Sequence, residues 1–209
     1  IVGHRIATKR AAVLGLNEQR FESLVFWTVA TGIVLSHVLD TIFYHPEVLL
    51  DKPWEILMIH HGLSSFGGFF GAIIGFLFYS SRHKIDRWKA ADAINYGLPW
   101  GWLFGRTGCT VVHDHPGLRS THWLAVNYPG GPRFDLGMME LMLTPLLIAM
   151  VLFVGHRTKR RGVVTAALAI TYPILRFPLD FLRATDGEGG DVCNDALEAF
   201  KLDRLEDGV

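Results

Sequence analysis

Five apolar stretches, each near the ~20 residues that a bilayer core requires, divide this chain and leave it few folds to choose from. They run from Phe21 to Tyr44, Ile56 to Tyr79, Asp92 to Val112, Leu136 to Gly155 and Gly162 to Leu182. Charges collect between them, and only 19% of the 209 residues are charged at all. Twenty basic residues balance twenty acidic ones, which argues against a nucleic-acid-binding protein, normally basic overall. With 14 Phe and 6 Trp the chain is not disordered. Cys109 and Cys193 form no CxxC pair, so neither a disulfide framework nor a zinc finger is expected. The expected fold is all-α, a polytopic transmembrane helix bundle with five visible spans.

Loop charges give an orientation. Arg5, Lys9, Arg10 and Arg20 precede the first span, Arg82, Lys84, Arg87 and Lys89 follow the second, and Arg157, Lys159, Arg160 and Arg161 follow the fourth. The alternate loops hold only Lys52, Arg119 and Arg133. By the positive-inside rule the chain starts in the cytoplasm, and loops 45–55 and 113–135 are exported. Residues 1–185 then form the transmembrane domain and 186–209 an exported polar tail. No cleavable signal peptide is visible, and a start at Ile1 rather than Met suggests part of a longer gene product. Gly67, Gly71 and Gly75 repeat every four residues, as do Gly97, Gly101 and Gly105, and each set is expected to admit a neighbouring backbone.

Ionisable residues within the spans share one depth. At ~1.5 Å of rise per residue, Arg106 and Arg176 each lie roughly 10 Å inside the outer end of their spans. His37, Asp40, His60, His61 and Glu140 approach the same surface. Arg176, Asp180 and Arg183 follow i, i+4, i+7 spacing and form one charged helical stripe. Pro173 and Pro178 each remove a backbone hydrogen bond, which is tolerated only against protein or water. Such a stripe reads either as a structural ion-pair ladder or, with Arg106 at matching depth, as a cradle for an anion. Arginine's planar fork suits a phospholipid phosphate.

Other chemistry is less well supported. His113-Asp114-His115 resembles a metal cluster, but adjacent loop residues converge on one ion only through a sharp turn, which Pro116-Gly117 supplies. His60-His61 reads as an acid–base pair or as interfacial residues. Tyr44, Trp54, Tyr79 and Trp88 read as interfacial anchors. No GxSxG, HExxH or phosphate-loop pattern occurs.

Three motifs in order carry a family resemblance over most of residues 1–185. IFYHPEVLLDKPWEILMIHHGLSSFGGFFG (42–71), GRTGC (105–109) and YPILRFPLDFLR (172–183) resemble the signatures of bacterial prolipoprotein diacylglyceryl transferase. The resemblance implies a seven-helix inner-membrane enzyme, of which this chain would lack most of the first helix and the last. It implies transfer of diacylglyceryl from phosphatidylglycerol to the lipobox cysteine of a lipoprotein precursor, with no cofactor and no metal. By position, Arg106 and Arg176 would hold the phosphate and stabilise the departing oxygen. Asp180 would stand in for the family's glutamate with Arg183 beside it, Gly67 and Gly68 for its glycine pair, and Glu140 for its acid. Gly108 and Cys109 complete the substrate-binding set. Phe66 stands where the family has a histidine, and Cys109 where it has an asparagine. His61, with His37 as the alternative, is the expected base. A catalytically silent phospholipid-binding paralogue is the alternative, and a metal-dependent hydrolase built on residues 113–115 the third reading.

Overall fold

The computed structural model describes residues 1–44, 46 and 63–184. Their order is α1 (Val2–Val13), α2 (Glu18–Tyr44), α3 (Ser65–Arg82), α4 (Arg87–Val112), β1 (Pro116–Arg119), β2 (Ala125–Tyr128), β3 (Gly131–Asp135), α5 (Leu136–Arg157) and α6 (Val163–Asp180). Three of these helices, α2, α5 and α6, are long and apolar enough to cross a membrane. This is a helical, polytopic membrane protein. Residues 56–62 of the second expected span, and the 186–209 tail, lie outside the described residues.

Two compact units divide the chain. The first covers Ile6–Ile94. Its core gathers Ala7, Ala11 and Leu14 of α1 with Phe21 and Leu24 of α2 and Ala90 and Ala93 of α4. α2 and α3 pack backbone to backbone along the glycine stripe. A methyl at Gly67 would lie 2.7 Å from the Leu35 carbonyl, and one at Gly71 2.5 Å from that of Thr31. These contacts leave no room for a Cβ, as the four-residue spacing predicts. Ser64 caps α3 by accepting from Gly67 N at 3.3 Å, and its carbonyl accepts from Ser36 Oγ at 2.7 Å. α4 begins earlier than its apolar stretch because Asp86 caps it, accepting from Lys89 N at 3.2 Å.

The second unit holds residues 1–5 and the chain from Asn95 onward. α5 and α6 form a hairpin closed by Gly162 in the left-handed region (φ 78°), with Leu147, Val151, Val164 and Leu168 between them. α4 joins α6 through two side-chain pairs, Asn95 with Thr165 (3.1 Å) and Trp102 with Tyr172 (ring centroids 4.4 Å). Both pairs share one offset of 70 residues, so the two helices run in the same sense and in register. The second glycine stripe behaves differently from the first. Gly3 of α1 approaches the Gly97 carbonyl, where a methyl would sit 2.7 Å away, but methyls at Gly101 and Gly105 would meet nothing among the described residues.

A small three-stranded antiparallel sheet, ordered β1-β3-β2, fills the segment between α4 and α5, where sequence periodicity predicts only an exported loop. Its signal is Tyr128-Pro129-Gly130-Gly131, where Pro pre-sets one turn position and Gly130 (φ 87°) takes the next. Arg133 is fully buried in this sheet and donates to the Gly117 carbonyl at 3.1 Å.

Candidate functional site

The offset that pairs α4 with α6 continues one turn further and brings Arg106 level with Arg176. Two guanidinium groups at one level need a counter-charge, and α5 supplies it. Glu140 is 6% exposed, and its Oε1 meets Arg176 Nε at 2.6 Å while its Oε2 meets Arg106 Nη2 at 2.5 Å. The second contact is an ion pair without the direction of a hydrogen bond. Arg176 also reaches Asp180 through Nη1 at 2.9 Å, along the i, i+4 stripe expected from the sequence. Arg106 Nε is buried with no hydrogen-bond partner among the described residues.

Local folding explains why Glu140 arrives there. Asp135 ends β3 and caps α5, accepting from Met138 N at 2.9 Å, and its other oxygen meets His113 Nδ1 at 2.5 Å. Helical spacing from that cap turns Glu140 and Thr144 to the same side, and the Thr144 hydroxyl donates to the Glu140 carbonyl at 2.9 Å. A narrow crevice beneath the ion cluster is lined by Trp102, Tyr172, Thr144 and apolar Leu143, Leu147 and Leu175. The Tyr172 hydroxyl lies close to Arg106. Neither Tyr172 nor Trp102 is among the residues expected from sequence to serve the site. Their signal is spacing, since each stands four residues before one of the two arginines.

The other expected site residues have their own local partners. Arg183 is exposed, and its backbone bridges Gly117 of β1, next to the bond from Leu118 N to the Leu182 carbonyl at 2.8 Å. Asp180 pairs with Arg176, whereas the sequence spacing places it between Arg176 and Arg183. Gly67 and Gly68 lie in the α2–α3 packing, and a methyl added at Gly68 would sit 3.5 Å from Ser36 Oγ. A methyl at Gly108 would meet nothing among the described residues, and Cys109 packs against Gly137 at the start of α5. His60 and His61 lie outside the described residues. Phe66 is 75% exposed and stacks on Phe70, with ring centroids 6.3 Å apart.

The His113-Asp114-His115 run of the third reading takes a different arrangement. His113 does not converge with Asp114 and His115, because Asp135 draws its ring away and Tyr128 packs edge-on against it.

Comparison with known proteins agrees with these motifs. The prolipoprotein diacylglyceryl transferase family model matches residues 1–202. A Chromohalobacter salexigens protein named phosphatidylglycerol–prolipoprotein diacylglyceryl transferase is 30% identical over 203 residues, covering 94% of this chain and 76% of its own length. A Ruegeria pomeroyi protein of the same name is 30% identical over 207 residues, with 88% and 70% covered. One from Idiomarina loihiensis is 27% identical over 179 residues, with 83% and 67% covered. With a family match across nearly its whole length and arginine motifs in the family's order, this chain belongs to the prolipoprotein diacylglyceryl transferase family.

Proposed function

We propose that this chain moves the diacylglyceryl group of phosphatidylglycerol to the lipobox cysteine thiol of a lipoprotein precursor, in the inner membrane of a bacterium. The observation that carries the reading is the pairing of Arg106 and Arg176 on Glu140 above an amphiphilic crevice. In the reaction the thiol sulfur bonds to the glyceryl carbon as that carbon's bond to the phosphate oxygen breaks. Glycerol phosphate leaves with the electron pair, and the thiol proton passes to a base. The two guanidinium groups stabilise charge on the departing oxygen, where arginine forks fit a phosphodiester bidentately. The buried Arg106 Nε is a donor ready for that oxygen. Glu140 and Asp180 orient the arginines, and Arg183, Gly67, Gly68, Gly108 and Cys109 are the further substrate-binding residues of this reading.

His61 is the base in this reading. Residues 1–185 make up the transferase domain, and 186–209 an exported polar tail. A phospholipid-binding paralogue without transfer activity is the second reading, favoured by the exposed, apolar Phe66 where the family has a histidine. Complementation separates the two. The full-length gene should restore growth to a bacterium depleted of its own transferase, and failure despite normal membrane expression would replace the enzyme with the silent paralogue.

A further inference from the structure

We infer that Cys109, Asp114 and His115 form a binding site for a thiophilic divalent transition-metal ion, zinc above all, at the turn that ends α4. The turn creates the site. α4 stops at Val112, and His113 N donates to the Cys109 carbonyl at 2.9 Å. His113 then takes φ 54°, a left-handed conformation that reverses the chain just past a helix end. Asp114 and His115 are thereby folded back over the last helical turn. The His115 carbonyl accepts from Leu136 N at 3.0 Å, which fixes the returning strand to the start of α5. A thiol, a carboxylate oxygen and an imidazole nitrogen end up within 4.8 Å of one another.

Three further details make the cluster more than proximity. One Asp114 oxygen already faces His115 Nδ1, which leaves the other Asp114 oxygen and His115 Nε2 as the ligand atoms. Asp135 removes His113 from the group, so the ligand set is one sulfur, one nitrogen and one oxygen. Gly137 lies against Cys109, where a methyl would be 3.2 Å from the Cys109 Cβ, and so holds that residue's position beside α5.

The donor types choose the metal. Thiolate and imidazole prefer zinc, copper or cobalt to magnesium or calcium, which take oxygen ligands. Three protein ligands leave a fourth tetrahedral position for water or another ligand, as in open zinc sites. Tetrahedral zinc holds its ligand atoms about 3.5 Å apart, so side-chain rotation of roughly an ångström closes the set. Asp114 and His115 are exposed, which gives an ion a way in.

The test reads the metal and needs no transfer assay. Tag-free protein, stripped of metal in detergent and titrated with Co²⁺, should bind one equivalent and show thiolate-to-cobalt charge-transfer absorption. Zn²⁺ should displace it. Cys193→Ser and His113→Ala should keep the band, while Cys109→Ser should abolish it. Asp114→Asn and His115→Ala should weaken affinity by more than the roughly 10–100-fold that outer-shell changes cost. Cys109→Asn, which carries the family's residue, serves as a folded control: it should melt like the parent without added metal yet show no metal-induced rise in melting temperature. Persistence of the band in Cys109→Ser, its loss in Cys193→Ser, or a parent that binds no metal would overturn the site.

Discussion

Arg106 and Arg176, on different helices, bind opposite oxygens of the single Glu140 carboxylate, at 2.5 and 2.6 Å. One buried acid therefore does for two cations what neither could do for the other. Glu140→Gln should leave both guanidinium groups under-compensated. Removing one partner of a buried pair costs about 3–5 kcal/mol, so the variant's thermal transition in detergent should drop by several degrees. An unchanged melting temperature would show that solvent, not Glu140, balances the arginines.

Lysine keeps a charge but loses the planar fork. Arg106→Lys and Arg176→Lys should each weaken phosphatidylglycerol binding about tenfold to a hundredfold, the equivalent of one charge-assisted hydrogen bond of ~1.5–3 kcal/mol. Arg183→Lys should be milder, since Arg183 is exposed and it bridges β1 through its backbone. Parent-like affinity in all three variants in a lipid-binding titration would leave the charged stripe as a structural ladder.

Two glycines should separate packing from substrate contact. Gly71→Ala puts a methyl 2.5 Å from the Thr31 carbonyl and should destabilise by about 1–3 kcal/mol. Gly108→Ala meets nothing among the described residues and should melt at or slightly above the parent temperature, because alanine favours helix. Lost turnover in a Gly108→Ala protein of normal stability would place substrate at that position, whereas normal turnover would remove Gly108 from the binding set.

Much of this architecture is legible in the sequence. Helix-length apolar runs locate α2, α5 and α6 to within three residues and α4 to within five, but they miss α1 and set the start of α3 nine residues early; four-residue glycine spacing marks the face of α3 that meets α2. Charge depth groups Arg106, Arg176 and Glu140 with His37, Asp40, His60 and His61, and the first three meet in one ion cluster. What periodicity does not carry is pairing between distant segments. The constant offset joining Asn95 to Thr165 and Trp102 to Tyr172 becomes visible only when α4 and α6 lie side by side. The sheet escapes a sequence reading because its strands are four or five residues long and their alternation is brief. His113 misleads for a related reason: its neighbours in sequence suggest a cluster, while a left-handed backbone and Asp135 give it a different partner.

Asp135→Ala should remove the α5 cap and the His113 contact together. Loss of a cap alone costs about 0.5–2 kcal/mol. The double variant with His113→Ala should be little worse than Asp135→Ala, since both report one contact. Additive losses in chemical or thermal unfolding would mean that His113 stabilises the chain by another route.

Asp135 also works as an angular reference. It belongs at once to the last strand and to the first turn of α5, and Glu140 follows five residues later. Each residue of an α-helix advances the side chain by about 100°, so one residue inserted between Asp135 and Glu140 would swing the carboxylate away from both arginines. An insertion in the 120–124 connection, upstream of β2 and β3, would leave that azimuth untouched. Length variation in this family should therefore be confined to the far side of the sheet, with the interval from cap to carboxylate held constant.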